Sequence, residues 1–111
     1  MPALLLTTLG RKTSRPYTTP LNYLLDEGVP VVTASNSGHR RPPLWWLNLQ
    51  AHPRAVMQIG HTVTDVLARE ADETERQRLW PKLIAQNPAY VRYTTLAGHA
   101  LPMIWLEPAN L

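Results

Sequence analysis

The stretch from Ala3 to Leu25, "ALLLTTLGRKTSRPYTTPLNYLL", decides the reading of the fold. Ala3 to Leu9 is rich in Leu and Thr, and Tyr17 to Leu25 is a second strand-like run. The polar segment from Gly10 to Arg15 separates them, so the pair predicts an antiparallel hairpin. Pro20 cannot donate to a ladder, which puts the second strand at a sheet edge or gives it a bulge there. The turn carries three cations, Arg11, Lys12 and Arg15, with the hydroxyls of Thr13 and Ser14 between them. Cations, hydroxyls and turn amides together can cradle a phosphate or carboxylate. A solvated hairpin turn has the same composition, and from these six residues alone both readings stand.

Further along the chain, Asp26-Glu27-Gly28 is a turn by composition, and Val29 to Ser35 predicts a third strand. A polar loop, Asn36 to Pro43, holds Ser37, Gly38, Arg40 and Arg41, and with Ser35 it offers a second set of hydroxyls, amides and charge at a strand end. Leu44 to Ala51 has no internal breaker and predicts a short helix, with Pro43 as its first residue and Pro53 beyond its end. Ala55 to Ile59 and Thr62 to Glu70 read as a second hairpin through Gly60-His61. Asp72 and Glu75 have capping-box spacing ahead of a helix over Glu73 to Gln86, which Pro81 should bend. A further helical turn or two carries Tyr90 and Tyr93, and Leu101 to Glu107 is the last strand. Six short strands without regular strand and helix alternation predict a mainly β, α+β fold, an antiparallel barrel with helices packed outside.

Composition narrows the function. The 111 residues fit one domain, spanning 1–111, and 44% hydrophobic with 17% charged residues is the balance of a folded protein. The absence of cysteine excludes disulfides, thiolate metal sites and a Cys nucleophile, and is compatible with the cytosol. The apolar start is too short for a membrane span and lacks a basic leader. His39, His52, His61 and His99 are scattered without ligand spacing, so no metal site is expected. Glycine motifs for nucleotides, dinucleotides or a hydrolase nucleophile are missing. A net charge of +3 favours an anionic ligand, and it is all that supports nucleic-acid binding.

Some side chains suggest roles by position. Trp45 and Trp46 point about 100° apart on a helix, so one suits the core and the other a planar ligand. Asn48 lies near the face of Trp45 and is suited to fixing a loop. Tyr90 and Tyr93 share a helical face, where they can pack on the barrel or donate to a substrate carbonyl.

Taken in order, "LLLTTLGRKTSRPYTTPLNYL", "VVTASNSG", "PLWWLNLQAHPRAVMQIG", "LAREADETERQRLWPKLIAQNPAYVRYT" and "LPMIWLEP" resemble the deazaflavin-dependent nitroreductase family over nearly the whole chain. The resemblance implies a split β-barrel related to flavin reductases and pyridoxamine-phosphate oxidases. It also implies hydride transfer from reduced coenzyme F420 to a quinone, activated alkene or nitroaromatic. By that resemblance Arg11, Lys12, Thr13 and Ser14 hold the coenzyme's phosphate and acidic tail, with Ser14 in place of the family's glycine. Ser35, Asn36 and Ser37 form the second phosphate loop, where Asn36 replaces a lysine and Arg40 or Arg41 stands in reserve. Pro20, Thr33 and Trp45 line the ring, while Tyr90 and Tyr93 serve the acceptor and Asn87 replaces a third family tyrosine. Alternatives are the same barrel holding flavin mononucleotide or haem, or a non-catalytic coenzyme-binding module. The implied partner is a small-molecule acceptor rather than nucleic acid. A cytoplasmic location is expected, with peripheral membrane contact if the acceptor is a lipid quinone, and a homodimer is compatible with the fold.

Overall fold

The computed structural model describes residues 2–109. Seven strands, β1 (Ala3–Leu9), β2 (Pro16–Asn22), β3 (Leu24–Asp26), β4 (Val29–Thr33), β5 (Arg54–Ile59), β6 (Thr62–Glu70) and β7 (Met103–Pro108), form one sheet in the order β2-β1-β5-β6-β7-β4-β3. Every neighbouring pair is antiparallel. Three helices, α1 (Leu44–Ala51), α2 (Glu73–Gln86) and α3 (Ala89–Ala97), and a short 3-10 turn at Asn36–Gly38 complete the fold.

The expected count of six strands is corrected to seven because the run from Tyr17 to Leu25 is two strands. β2 pairs with β1 at one edge of the sheet, and β3 pairs with β4 at the opposite edge. Only Tyr23 lies between them. One extended residue spans roughly 3.5 Å, so the two edges must approach each other and the sheet must curl into a half-barrel. Tyr23 is buried, and its N–H donates to the carbonyl of Pro2. Pro20 does lie on an edge strand, in regular register with Leu5 and without a bulge.

The curl creates two cores, and β7 serves both. Its residues Ile104 and Leu106 pack with Leu6, Val66, Trp45, Trp46 and Leu49, whereas Met103 and Trp105 pack with Leu79, Leu83 and Tyr90 beneath α2 and α3. Alternate side chains point to opposite faces, so an unbroken apolar strand means that both faces are covered. α1 fills the inside of the curl. Pro43 precedes it at the N-cap rather than inside its first turn. Both tryptophans are buried because α1 is enclosed on most sides, and the expected division holds to the extent that Trp45 borders the larger cavity while Trp46 does not.

α2 starts with the predicted capping box, in which the Glu75 N–H donates to Asp72 and the Asp72 N–H donates to Glu75. Arg69 binds both Glu75 and Glu107, and the guanidinium holds the Glu75 carboxyl below its usual range. α2 is also tied to the far edge of the sheet through Asp26, which is 1% exposed and accepts from Arg78 (2.7 Å) and Lys82. The bond from Arg78, followed by that from Lys82, pulls the Asp26 carboxyl from its ordinary 3.8 to about 2. A carboxyl depressed by folding stabilises the native state fully above pH 3.8 and loses that contribution as pH falls toward 2. Asp26→Asn should therefore cost about 1–3 kcal/mol near pH 7, which lowers the melting temperature by roughly 5–20 °C. Melts followed by circular dichroism should show the gap from wild type closing below pH 3. A gap that stays constant from pH 7 to pH 2 would contradict the pairing.

Candidate active site

The hairpin between β1 and β2 is wired from inside its own turn. The Gly10 N–H donates to the Arg15 carbonyl and the Ser14 N–H to the Gly10 carbonyl, both at 2.8 Å. Thr13 Oγ1 accepts from the Arg15 N–H. A Cβ built on Gly10 would stand 2.6 Å from Thr13 Oγ1 and 2.7 Å from Tyr17, so any larger residue must displace those side chains. Ser14 holds a left-handed backbone angle (φ 58°), a position where glycine carries no steric cost. Asn48 anchors this tip to α1: its Oδ1 accepts from the Arg11 N–H, and its Nδ2 donates to Thr8 Oγ1, each at 3.1 Å. The predicted loop-fixing role of Asn48 is thus the observed one. Arg11, Lys12 and Thr13 line a cleft of about 180 Å³ with Leu44 and Asn48.

Leu44 also borders a larger cavity of about 480 Å³. That cavity gathers Pro20 from β2, Thr33 at the end of β4, Ser35 just before the 3-10 turn, Asn36 and Ser37 within it, Trp45 from α1, and Tyr90 and Tyr93 from α3. Nine of the residues singled out in the sequence, with Asn87 from the junction of α2 and α3 as the ninth, meet at this one place. Ser14 and Arg41 line neither cavity. The Asn36 side chain turns away from a purely ligand-facing role, since its Nδ2 donates to the Arg41 carbonyl at 3.0 Å. The sequence reading passed over Thr19, Leu21, Asn22, Pro43 and Leu44, which also line the wall. Their only signal was adjacency to residues already chosen, because an edge strand and a helix start do not announce which side faces a pocket.

Tyr90 and Tyr93 stand edge to face, with ring centres 5.5 Å apart at 83°. Burial, and then the neighbouring Tyr93, raise the Tyr90 hydroxyl above its usual range, so it keeps its proton at neutral pH. Charge is distributed unevenly around them. Residues 1–25, 28–64 and 76–106 contain no Asp or Glu. Among the described residues, Arg11, Lys12, Arg15, Arg40, Arg41 and Arg92 take part in no ion pair, whereas the paired cations Arg69, Arg76, Arg78 and Lys82 sit with the carboxylates.

A cationic hairpin tip beside a pocket large enough for a fused ring, on a curled antiparallel sheet, defines a class: half-barrels suited to an anionic small-molecule ligand. The comparisons narrow this. The model of the F420H(2)-dependent quinone reductase family matches residues 1–108, and the chain belongs to that family. It is 34% identical over 109 residues to an F420H(2)-dependent quinone reductase of Mycobacterium tuberculosis, covering 95% of this chain and 72% of that one. A solved F420-H2 dependent reductase, FDR-A, superposes with a TM-score of 0.86 at 31% identity, covering 96% of this chain and 94% of that one. Another similar structure, solved as a domain-swapped dimer, has the same TM-score and identity and covers 96% and 80%. The protein is accordingly an oxidoreductase that uses coenzyme F420 and passes a hydride to a quinone. Among the described residues, no helix is long and apolar enough to cross a membrane.

Proposed function

We propose that the hairpin cleft and the larger pocket form one continuous coenzyme and quinone site, with Leu44 at the junction. The residues present fit the group. Arg11 and Lys12, unpaired by any carboxylate, suit the phosphate and acidic tail of the coenzyme. The crowded Gly10 turn holds their backbone amides in place. Pro20, Thr33, Ser35, Ser37 and Trp45 surround the space for the ring. Asn36 is the weak point of the match, because its amide already serves the Arg41 carbonyl. When bound, the reduced deazaflavin supplies the hydride. The protein's share is to hold donor and acceptor within about 3–3.5 Å, keep water out and supply a hydrogen-bond donor. Tyr90, buried and protonated, is the first such donor, with Tyr93 or water as the other sources.

The observation that carries this reading is the meeting of separately predicted residues around one cavity beside unpaired cations. Lys12→Ala tests it. We expect coenzyme affinity to fall about tenfold, in line with one charge-assisted contact, and its salt dependence to flatten. Fluorescence titration at two ionic strengths measures both, and unchanged affinity would count against the hairpin cleft.

Activated alkenes and nitroaromatics are included as further acceptors because the same donors suit their oxygen atoms. Two associations are also proposed. The outer face of β1, β5 and β6 exposes Leu5, Leu9, Val56, Val63 and Leu67, which suits a homodimer. The carboxylate-free side, with exposed Leu44, Leu96 and the cations around the pocket, suits transient contact with an anionic lipid surface that holds a quinone.

A further inference from the structure

We infer that the side-chain amide of Asn87 grips one oxygen of the acceptor, and that this residue sets which acceptors the pocket prefers. The inference rests on the reductase reading above and adds a residue to it.

Asn87 lies in the junction between α2 and α3, with an extended backbone. Its main chain is committed in both directions: the N–H donates to the Leu83 carbonyl at 2.8 Å, and the carbonyl accepts from the Tyr90 N–H at 3.3 Å. Its side chain is committed at one end only. Oδ1 accepts from the Ala89 N–H at 3.1 Å, which fixes the amide plane against the start of α3. Pinning the oxygen leaves the nitrogen with two donors aimed elsewhere. Among the described residues none accepts from Asn87 Nδ2. The residue is half-buried and lines the larger cavity with Tyr90 and Tyr93.

The hydroxyls of Tyr90 and Tyr93 likewise have no protein acceptor among the described residues. Three donors without acceptors therefore converge on one wall. None of the three is closed off from water in the free protein, but a hydrocarbon ligand seated against them would displace that water and leave them unmet, which is costly. The wall is thus built for a ligand with acceptor oxygens, such as the two carbonyls of a quinone. The donors divide by chemistry. A carboxamide donates a hydrogen bond but releases no proton at physiological pH, so Asn87 can hold an oxygen and cannot protonate it. Protonation is left to a tyrosine or to water.

Asn87→Ser separates holding from folding. Serine keeps an oxygen that can cap the Ala89 N–H and loses the amide donors, whereas Asn87→Ala loses both. We expect the serine variant to melt within a few degrees of wild type and to bind coenzyme within twofold. Its KM for menadione should rise about five- to tenfold. A second readout needs no turnover. With the oxidised coenzyme present, menadione should shift the Asn87 side-chain amide resonances of 15N-labelled wild-type protein, and 2-methylnaphthalene, of similar shape without carbonyls, should not. An unchanged KM in the folded serine variant, silent amide resonances, or an equal response to both compounds would overturn the inference while leaving the reductase reading intact. Failure of the wild type to bind coenzyme or consume menadione would overturn that reading, and this inference with it.

Discussion

Tyr90→Phe is expected to lower turnover with a soluble quinone about 100-fold, the lower end of what a positioned proton donor contributes. The substitution removes only the hydroxyl. That hydroxyl has no protein partner among the described residues, so packing beneath α3 and the melting temperature should hardly change. Coenzyme affinity should stay within twofold, because the anionic tail is assigned to the hairpin cleft at the other end of the site. The raised pKa sharpens the expectation. Burial keeps Tyr90 protonated beyond the usual range, so its contribution should persist through neutral and mildly alkaline pH and disappear only as the hydroxyl ionises. Steady-state rates across pH, with coenzyme binding measured separately, test both parts. Turnover equal to wild type would remove Tyr90 from the mechanism and leave Tyr93 or water as the proton source.

Gly38→Val is expected to damage stability and site together. Gly38 ends the 3-10 turn with φ +85°, a left-handed conformation that is especially poor for a β-branched residue. Even a single Cβ would stand 3.0 Å from Leu96 Cβ and 3.3 Å from Tyr93 Cα. The backbone penalty and the overpacking together cost about 2–5 kcal/mol. That corresponds to a fall in melting temperature of about 10–30 °C for a chain of this size. Relief requires α3 to move away from the turn, which takes Tyr93 out of the pocket wall and shifts Ser35, Asn36 and Ser37 on the other side. A variant that still folds at low temperature should therefore show a raised KM for the quinone as well as weaker coenzyme binding. Normal kinetics in a destabilised Gly38→Val protein would show that the turn and α3 do not position the site.

Much of the candidate site was legible before the fold was. Arg11, Lys12 and Thr13 stood out because cations and hydroxyls were packed into a turn, and the segment order pointed to a family whose model matches residues 1–108. That Thr19, Leu21 and Asn22 join Pro20 on the pocket wall was not legible, since an edge strand can show both its sides to a curled sheet's rim. Asn36 illustrates a different limit. Its identity revealed the missing lysine charge, but only the folded loop shows the amide spent on the Arg41 carbonyl.

Local chemistry was enough to specify the strands around Gly60-His61, the capping box at Asp72 and Glu75, the helix before Pro53 and the cationic hairpin. These depend on neighbours a few residues apart, where side-chain type and backbone preference act directly. Tertiary structure alone decided that the run through Tyr23 is two strands at opposite edges, that both tryptophans are buried, and that Asp26 pairs with α2. Each of those outcomes is set by which distant segment supplies the hydrogen bonds or covers the surface. A periodic pattern records that a segment is extended and apolar, and it carries no record of its partner.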